Sequence, residues 1–390
     1  MLRDVRFRDD KDFSGCSIFG MMNAAGVRFT GAPMLTAIAN MKDRSNGLGG
    51  GFAAYGIYPQ YADLFCFQIM YSDEAGRKDT EELLKKEFLV EQAEVIPTSP
   101  CEGVGEAPLL WRYFLQPRGK TILDCELQDL DDFVVRTVMH INANIDGAFT
   151  FSSGKNMGVF KGVGFPEDIG RFFRLDEYEG YIWVAHGRFP TNTQGWWGGA
   201  HPFNILDWSV VHNGEISSYG INQRYLEMYG YDCTLFTDTE VIAYAVDLLV
   251  RRHGLSIEDM AKVLAAPLWE DIDRMQSRER ELHTALRQTY GSLLLNGPFS
   301  IIVSNLSQMI GLTDRIRLRP LVAARNGDWM YLSSEEAPMH LVDDSLKDTW
   351  IPSGGEPIVF GLQEAAAVGE TVIESNEILD GTERALTRGG

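Results

Sequence analysis

The chain has 390 residues, 45% of them apolar and 23% charged, and its 35 Lys and Arg stand against 55 Asp and Glu for a formal net charge of −20. This is the balance of an ordinary globular domain, and the acidic excess argues against a nucleic-acid partner, which would need clustered Lys and Arg. No run of 18 or more apolar residues is present to cross a membrane, and the opening MLRDVRFRDDKDFSG is charged where a secretory signal would be apolar, so a cytoplasmic protein is expected.

The first change of texture follows Gly15. Cys16-Ser17-Ile18-Phe19-Gly20-Met21-Met22 reads as a short apolar strand with a cysteine at its first position. The five cysteines, Cys16, Cys66, Cys101, Cys125 and Cys233, are odd in number, widely spaced and without a C-x-x-C pair. That pattern disfavours a disulfide framework, a zinc site or an iron–sulfur cluster held by this chain. Taken alone, Cys16 reads as a small buried thiol. Pro33 to Met41 and Asp79 to Val90 read as helices, and residues 91–145 as a mixed strand and helix region. The glycine-rich Asn46 to Gly51 lacks the Lys-Ser/Thr of a phosphate loop and reads as permissive backbone.

Residues 181–240 carry the densest pattern. Two apolar strand-like runs, Tyr181 to Ala185 and Trp208 to Val211, end in the polar clusters His186-Gly187-Arg188 and His212-Asn213-Gly214-Glu215. Polar groups at the ends of buried strands are how rigid scaffolds present chemistry. Asn213-Gly214 is also the dipeptide of a type I′ hairpin turn. Arg188 has the planar fork that matches a carboxylate, although a surface ion pair would use it as well. Asp238 precedes a helix expected over Thr239 to Val250 and would ordinarily be its N-cap. Trp196-Trp197-Gly198-Gly199 fits either a lid that excludes water or a packed corner. His186, His201 and His212 could be drawn as a metal triad, and His186 and His212 equally as satisfied structural histidines at strand ends.

Together, D-K-D-F-S-G-C, D-R-S-N-G-L-G-G-G-F-A-A-Y-G-I-Y-P from Asp43 to Pro59, R-F-P-T-N-T, A-H-P-F, V-H-N-G-E-I-S-S-Y-G and T-D-T-E resemble the class II glutamine amidotransferases. Within that family the likeness is to the amidotransferase subunit of archaeal-type glutamate synthase, over roughly Asp10 to Leu362. The resemblance implies an α+β fold, the four-layer αββα sandwich of mainly antiparallel sheets of the N-terminal-nucleophile hydrolases. It implies a leader over residues 1–15 removed at Gly15–Cys16, one amidotransferase domain with insertions over 16–362, and an acidic tail over 363–390.

The site it implies has Cys16 as nucleophile with its own freed α-amine as base, and Asn213 and Gly214 as oxyanion donors. Arg188, with Thr191 beside it, would take the α-carboxylate of glutamine and Asp238 its α-ammonium, while Glu240 stays structural. No metal is called for. No cofactor is expected on this chain; FMN, iron–sulfur clusters and NAD(P)H or ferredoxin would belong to partner glutamate synthase subunits acting on 2-oxoglutarate. Identical motifs would serve an ammonia supplier for another acceptor, such as N-methylglutamate or an amino sugar, or a non-catalytic subunit of the same fold. Family members often have Gly after the nucleophile, where this chain has Ser17.

The second half is plainer. Ile257 to Leu264 and Trp269 to Tyr290 read as covering helices, and Ser300 to Ser304 and Met330 to Ser333 as strands. Between these strands the basic run Leu312 to Pro320, and after them Leu332-Ser333-Ser334-Glu335-Glu336, also resemble the family. Glu364 to Gly390 reads as a loose tail or docking arm.

Overall fold

The computed structural model describes residues 15–119, 129–189 and 195–363. The leader up to Ser14, Cys125, Thr191 and the tail from Glu364 lie outside these residues.

The apolar run after Cys16 forms the strand Ser17–Asn23, buried at every position. It is the centre of an antiparallel sheet that, among the described residues, has seven strands. Their order is Asp348–Trp350, Val322–Asn326, Trp329–Ser333, Ser17–Asn23, Ile182–Gly187, Gly50–Tyr55 and Met157–Gly162. A second antiparallel sheet orders Phe203–Ile205, Trp208–Gly214, Phe299–Ser304, Gln308–Thr313 and Ile358–Gly361.

The two sheets lie face to face. A Cβ added to Gly20 would stand 2.7 Å from Met309 Sδ and 3.3 Å from Ile302 Cδ1, so the glycine lets the sheets approach. Tyr55 ties them with hydrogen bonds to Ser209 Oγ (2.5 Å) and the Ser304 carbonyl (2.8 Å). The helices Ala32–Asn40, Pro166–Phe172 and Ala337–Val342 pack on the seven-stranded side. Tyr219–Glu227 and Asp238–Val246 pack on the other. The α+β sandwich of antiparallel sheets between helical layers is the expected architecture.

Between the neighbouring strands Gly50–Tyr55 and Met157–Gly162 the chain leaves to build a further lobe that shares its core with the sandwich. There Phe88–Val95, Leu109–Pro117, Phe65–Tyr71 and Ala148–Ser152 form an antiparallel sheet packed against the helices Glu74–Glu87 and Leu130–Asn144. Residues 91–145 are the mixed strand and helix region expected, with Phe88–Val95, Leu109–Pro117 and Leu130–Asn144, and the sheet carries register shifts at Gln68/Ile69 and Val90/Gln92.

Several boundaries differ from the sequence reading. The helix expected at Asp79 begins at Glu74, because the Asp73 carboxylate caps the N–H groups of Ala75 and Gly76, and it gives way to a strand at Phe88. Trp269 to Tyr290 is two helices, Trp269–Arg274 and Ser277–Tyr290. Gln308–Thr313 and Val322–Asn326 are strands flanking the basic run. The helix after Asp238 runs to Val246 and continues as a π-helical turn over Asp247–Arg252.

Candidate active site

Antiparallel pairing places the nucleophile candidate. Ser17 lies opposite Gly187 and Ile18 opposite His186, so Cys16, just before the strand, lies beside Arg188 and Phe189. The Cys16 sulfur accepts the Phe189 N–H at 3.4 Å. Burial pushes the Cys16 thiol up, while that N–H and the Arg188 guanidinium pull it back. A thiol so placed needs a base to become a nucleophile. All four cysteines among the described residues, Cys16, Cys66, Cys101 and Cys233, are free thiols.

Arg188 is buried, and its own N–H donates to the Gly49 carbonyl at 2.9 Å. The glycine-rich segment therefore works as close-packed backbone rather than a phosphate cradle. A Cβ at Gly49 would stand 3.1 Å from Arg188 Cδ, and one at Gly51 would stand 2.2 Å from the His201 carbonyl.

Asn213 and Gly214 do not form a hairpin turn. They are the last residues of Trp208–Gly214 and pair with Ser300 and Phe299, because the strand continues two residues past the polar switch at His212. Gly214 adopts φ +152°, and an added Cβ would lie 2.0 Å from the Pro298 carbonyl, so only glycine fits. Asn213 is fully buried. Its Nδ2 donates to Ser334 Oγ at 3.3 Å, and its Oδ1 has no partner among the described residues. That oxygen lies 3.9 Å from where a Gly15 Cβ would stand, so the amide sits at the Gly15–Cys16 junction. Because the Ser334 hydroxyl can donate as well as accept, the amide can turn over and aim its NH2 at the site at no cost in hydrogen bonds.

Asp238 is the first residue of its helix, not the N-cap. Thr237 caps it, its hydroxyl accepting the Glu240 N–H, and this frees the aspartate for other work. Asp238 accepts the Ile216 N–H at 3.2 Å and lies 3.6 Å from His212 Nδ1. Burial alone would raise its carboxyl. Instead His212, the Ile216 N–H and the Thr239 hydroxyl hold it below the ordinary value of 3.8. Glu240 is structural, as expected, accepting the N–H groups of Thr234 and Leu235.

The three histidines converge behind the site. His186 Nε2 lies 3.0 Å from the His212 carbonyl and so carries the ring proton, and the ring stacks on His201 with centroids 4.0 Å apart. Thr239 Oγ1 lies 3.2 Å from both His212 Nδ1 and His201 Nε2. Burial drives His186 down to about 3 and His201 well below its ordinary value, so both are neutral. They are structural but not saturated, since His186 Nδ1, His201 Nδ1 and His212 Nε2 have no partner among the described residues. No group of His, Cys, Asp or Glu among these residues is arranged to hold a metal ion. Trp197 is packed edge-on against Phe172, and Trp196 against Phe149.

Residues that sequence reasoning did not single out also reach the site. Ser334 accepts the Ile18 N–H at 3.2 Å and thereby joins the strand after Cys16 to Asn213. Arg44 approaches the Cys16 carbonyl at 3.4 Å and pairs with Glu335 at 2.8 Å. Arg44 lies in the Asp43 to Pro59 motif and the other two in the Ser-Ser-Glu-Glu stretch, so their motifs were visible but their roles were not.

Comparison with known proteins shows the family. The family model described as "Glutamine amidotransferases class-II" matches residues 104–380. An uncharacterized protein of Archaeoglobus fulgidus is 54% identical over 358 residues, covering 91% of this chain and 94% of the relative. A Methanothermobacter thermautotrophicus protein, provisionally described as a glutamine amidotransferase, is 26% identical over 87% of this chain and 97% of its own length. Among solved structures, the Bacillus subtilis glutamine phosphoribosylpyrophosphate amidotransferase aligns with 89% of this chain and 47% of its own, at 15% identity and a TM-score of 0.45. With its family model spanning well over half its length, the chain is a member of the class II glutamine amidotransferases.

Proposed function

We propose that this chain is the glutaminase component of a larger synthase, hydrolysing L-glutamine to glutamate and passing ammonia to a partner subunit. The observation that carries the reading is the convergence of Cys16, Arg188, Asn213, Gly214 and Asp238 at one end of the sandwich, although they come from distant parts of the sequence. Arg188 would hold the α-carboxylate of glutamine and Asp238, ionised well into acid, its α-ammonium. Between them the side-chain amide would reach Cys16.

Cutting the Gly15–Cys16 bond would release an α-amine on the same residue as the thiol, with an ordinary pKa near 7.7 to 8.0. The amine takes the thiol proton, and the sulfur attacks the carboxamide carbon. The oxyanion is met by the turned-over Asn213 amide and by backbone at Gly214. The C–N bond then breaks, the leaving nitrogen takes the proton from the amine, and ammonia departs. Water attacks the thioester, releasing glutamate and restoring the thiol. Because free ammonia is largely protonated at neutral pH, it has to be delivered to its acceptor without passing through solvent.

The glutamate synthase reading, with 2-oxoglutarate as acceptor and FMN, iron–sulfur clusters and NAD(P)H or ferredoxin on partner chains, rests on the motif resemblance. A supplier for another acceptor would share every residue of this site. Two measurements test the proposal. Diazo-oxo-norleucine should add once, at Cys16, to a chain whose intact mass lacks the first fifteen residues. In the assembled enzyme, Cys16→Ala should abolish glutamine-dependent synthesis while ammonia-dependent synthesis survives. Equal loss of both would refute the division of labour.

A further inference from the structure

The basic run Arg315, Arg317 and Arg319 is not used uniformly. Asp314 folds the loop, its carboxylate accepting the N–H groups of Phe299 (3.2 Å), Ile316 (3.1 Å) and Leu318 (2.8 Å). Arg315 donates to the Ala266 carbonyl and Asn296 Oδ1, and Arg317 to the Pro352 carbonyl. Those two guanidinium groups pin the loop to neighbouring backbone.

Arg319 differs. It has no hydrogen bond or ion pair among the described residues, and its Nε is buried without a partner. Its Nη1 lies 3.4 Å from where a Gly15 Cβ would stand. Backbone geometry then puts it within about 7 Å of the Cys16 nitrogen. Arg44 is equally near, its Nη2 3.6 Å from the same point, but Glu335 pairs with it. The other charges acting on Cys16 are Arg188, which pulls its thiol down, and Asp238 and Glu215, which push it up. Arg319 is therefore the cation at this junction that no acid among the described residues offsets.

We propose that Arg319 is a positioning residue for the glutaminase reaction: its guanidinium keeps the Cys16 α-amine neutral, and so able to accept the thiol proton, at neutral pH. The inference rests on the reading that Cys16 becomes the N-terminal residue. A cation next to an amine disfavours the ammonium form, and at this separation in a partly solvated site the effect is on the order of half to one pH unit. The proton moves from Sγ to the α-nitrogen, and no other bond changes.

The test is the pH dependence of kcat/KM for glutamine hydrolysis by the assembled enzyme, with the N-terminus established by intact mass. In Arg319→Gln the ascending limb should move to higher pH by roughly half to one unit, lowering activity about 3- to 10-fold at the foot of the limb and far less on the plateau. Arg319→Lys should return the limb towards the wild-type position. Raising ionic strength should move the wild-type limb in the same direction as Arg319→Gln and move it further than it moves that variant's limb. A role confined to packing would lower the plateau without moving the limb. A processed enzyme whose limb moves with neither substitution nor salt overturns the proposal alone. An active enzyme that retains its leader overturns the processing step and the proposal with it.

Discussion

The sandwich and the lobe inserted between Tyr55 and Met157 are both antiparallel sheet covered by helix, yet they treat polar groups differently. The lobe is filled with rings, Phe67 on Phe88 and Phe88 on Phe133, and its buried Tyr71 hydroxyl meets the Tyr113 hydroxyl at 3.1 Å. The sandwich buries Ser17, His186, His212, Asn213 and Ser300, each with a polar atom that has no partner among the described residues. The lobe strand Ala148–Ser152 also leaves the Thr150 and Ser152 hydroxyls without partners, but Ser17, His186, His212 and Asn213 gather near Cys16, and because unpaired buried polar atoms cost stability that cluster fits packing given up for chemistry.

Substitutions on the two sides should separate cleanly. The largest effect is expected from Gly214→Ala, whose methyl group would meet the Pro298 carbonyl at a backbone angle that disfavours any side chain. Glutaminase activity should fall by more than about 1,000-fold and the protein should lose on the order of 3 kcal/mol, read by ammonia release and denaturant unfolding. Asn213→Ala should lower kcat by about 100- to 1,000-fold. Ser334→Ala, which would remove the partner of that amide and of the Ile18 N–H, should cost roughly tenfold, and a Ser334 effect equal to that of Asn213 would break the ranking.

Asp238→Asn should act on binding, raising KM for glutamine by about 10- to 100-fold with a smaller change in kcat. It also carries a pH signature. The folded carboxyl sits below its ordinary 3.8, so its contribution to stability is fully present above that value and is lost as pH falls through the depressed one. The acid-unfolding profile of Asp238→Asn should therefore be shallower than the wild type's in that window. At the small end, Tyr71→Phe in the lobe should cost about 1 kcal/mol and leave kcat/KM unchanged. A kinetic defect there would mean that the lobe takes part in the reaction.

Much of this was legible in the sequence because motifs are local. The Cys16 strand, the polar ends of the Trp183 and Val210 strands and the helix after Asp238 follow from apolar period and composition, and the family resemblance supplied the sandwich. What escaped reading depended on partners far along the chain or, at Asp238, on which of two adjacent residues caps the helix. Asn213-Gly214 has the composition of a turn, and only pairing with Ser300 and Phe299 makes it a strand end. Asp238 looks like a cap until Thr237 takes that role. The three arginines of the 315–319 run are chemically identical in sequence, yet tertiary contacts spend two on backbone carbonyls and set the third beside Gly15. Residue type and spacing determined which groups this protein could use. Which of them meet was decided by the antiparallel register of two facing sheets, since contacts between residues hundreds of positions apart leave no local trace.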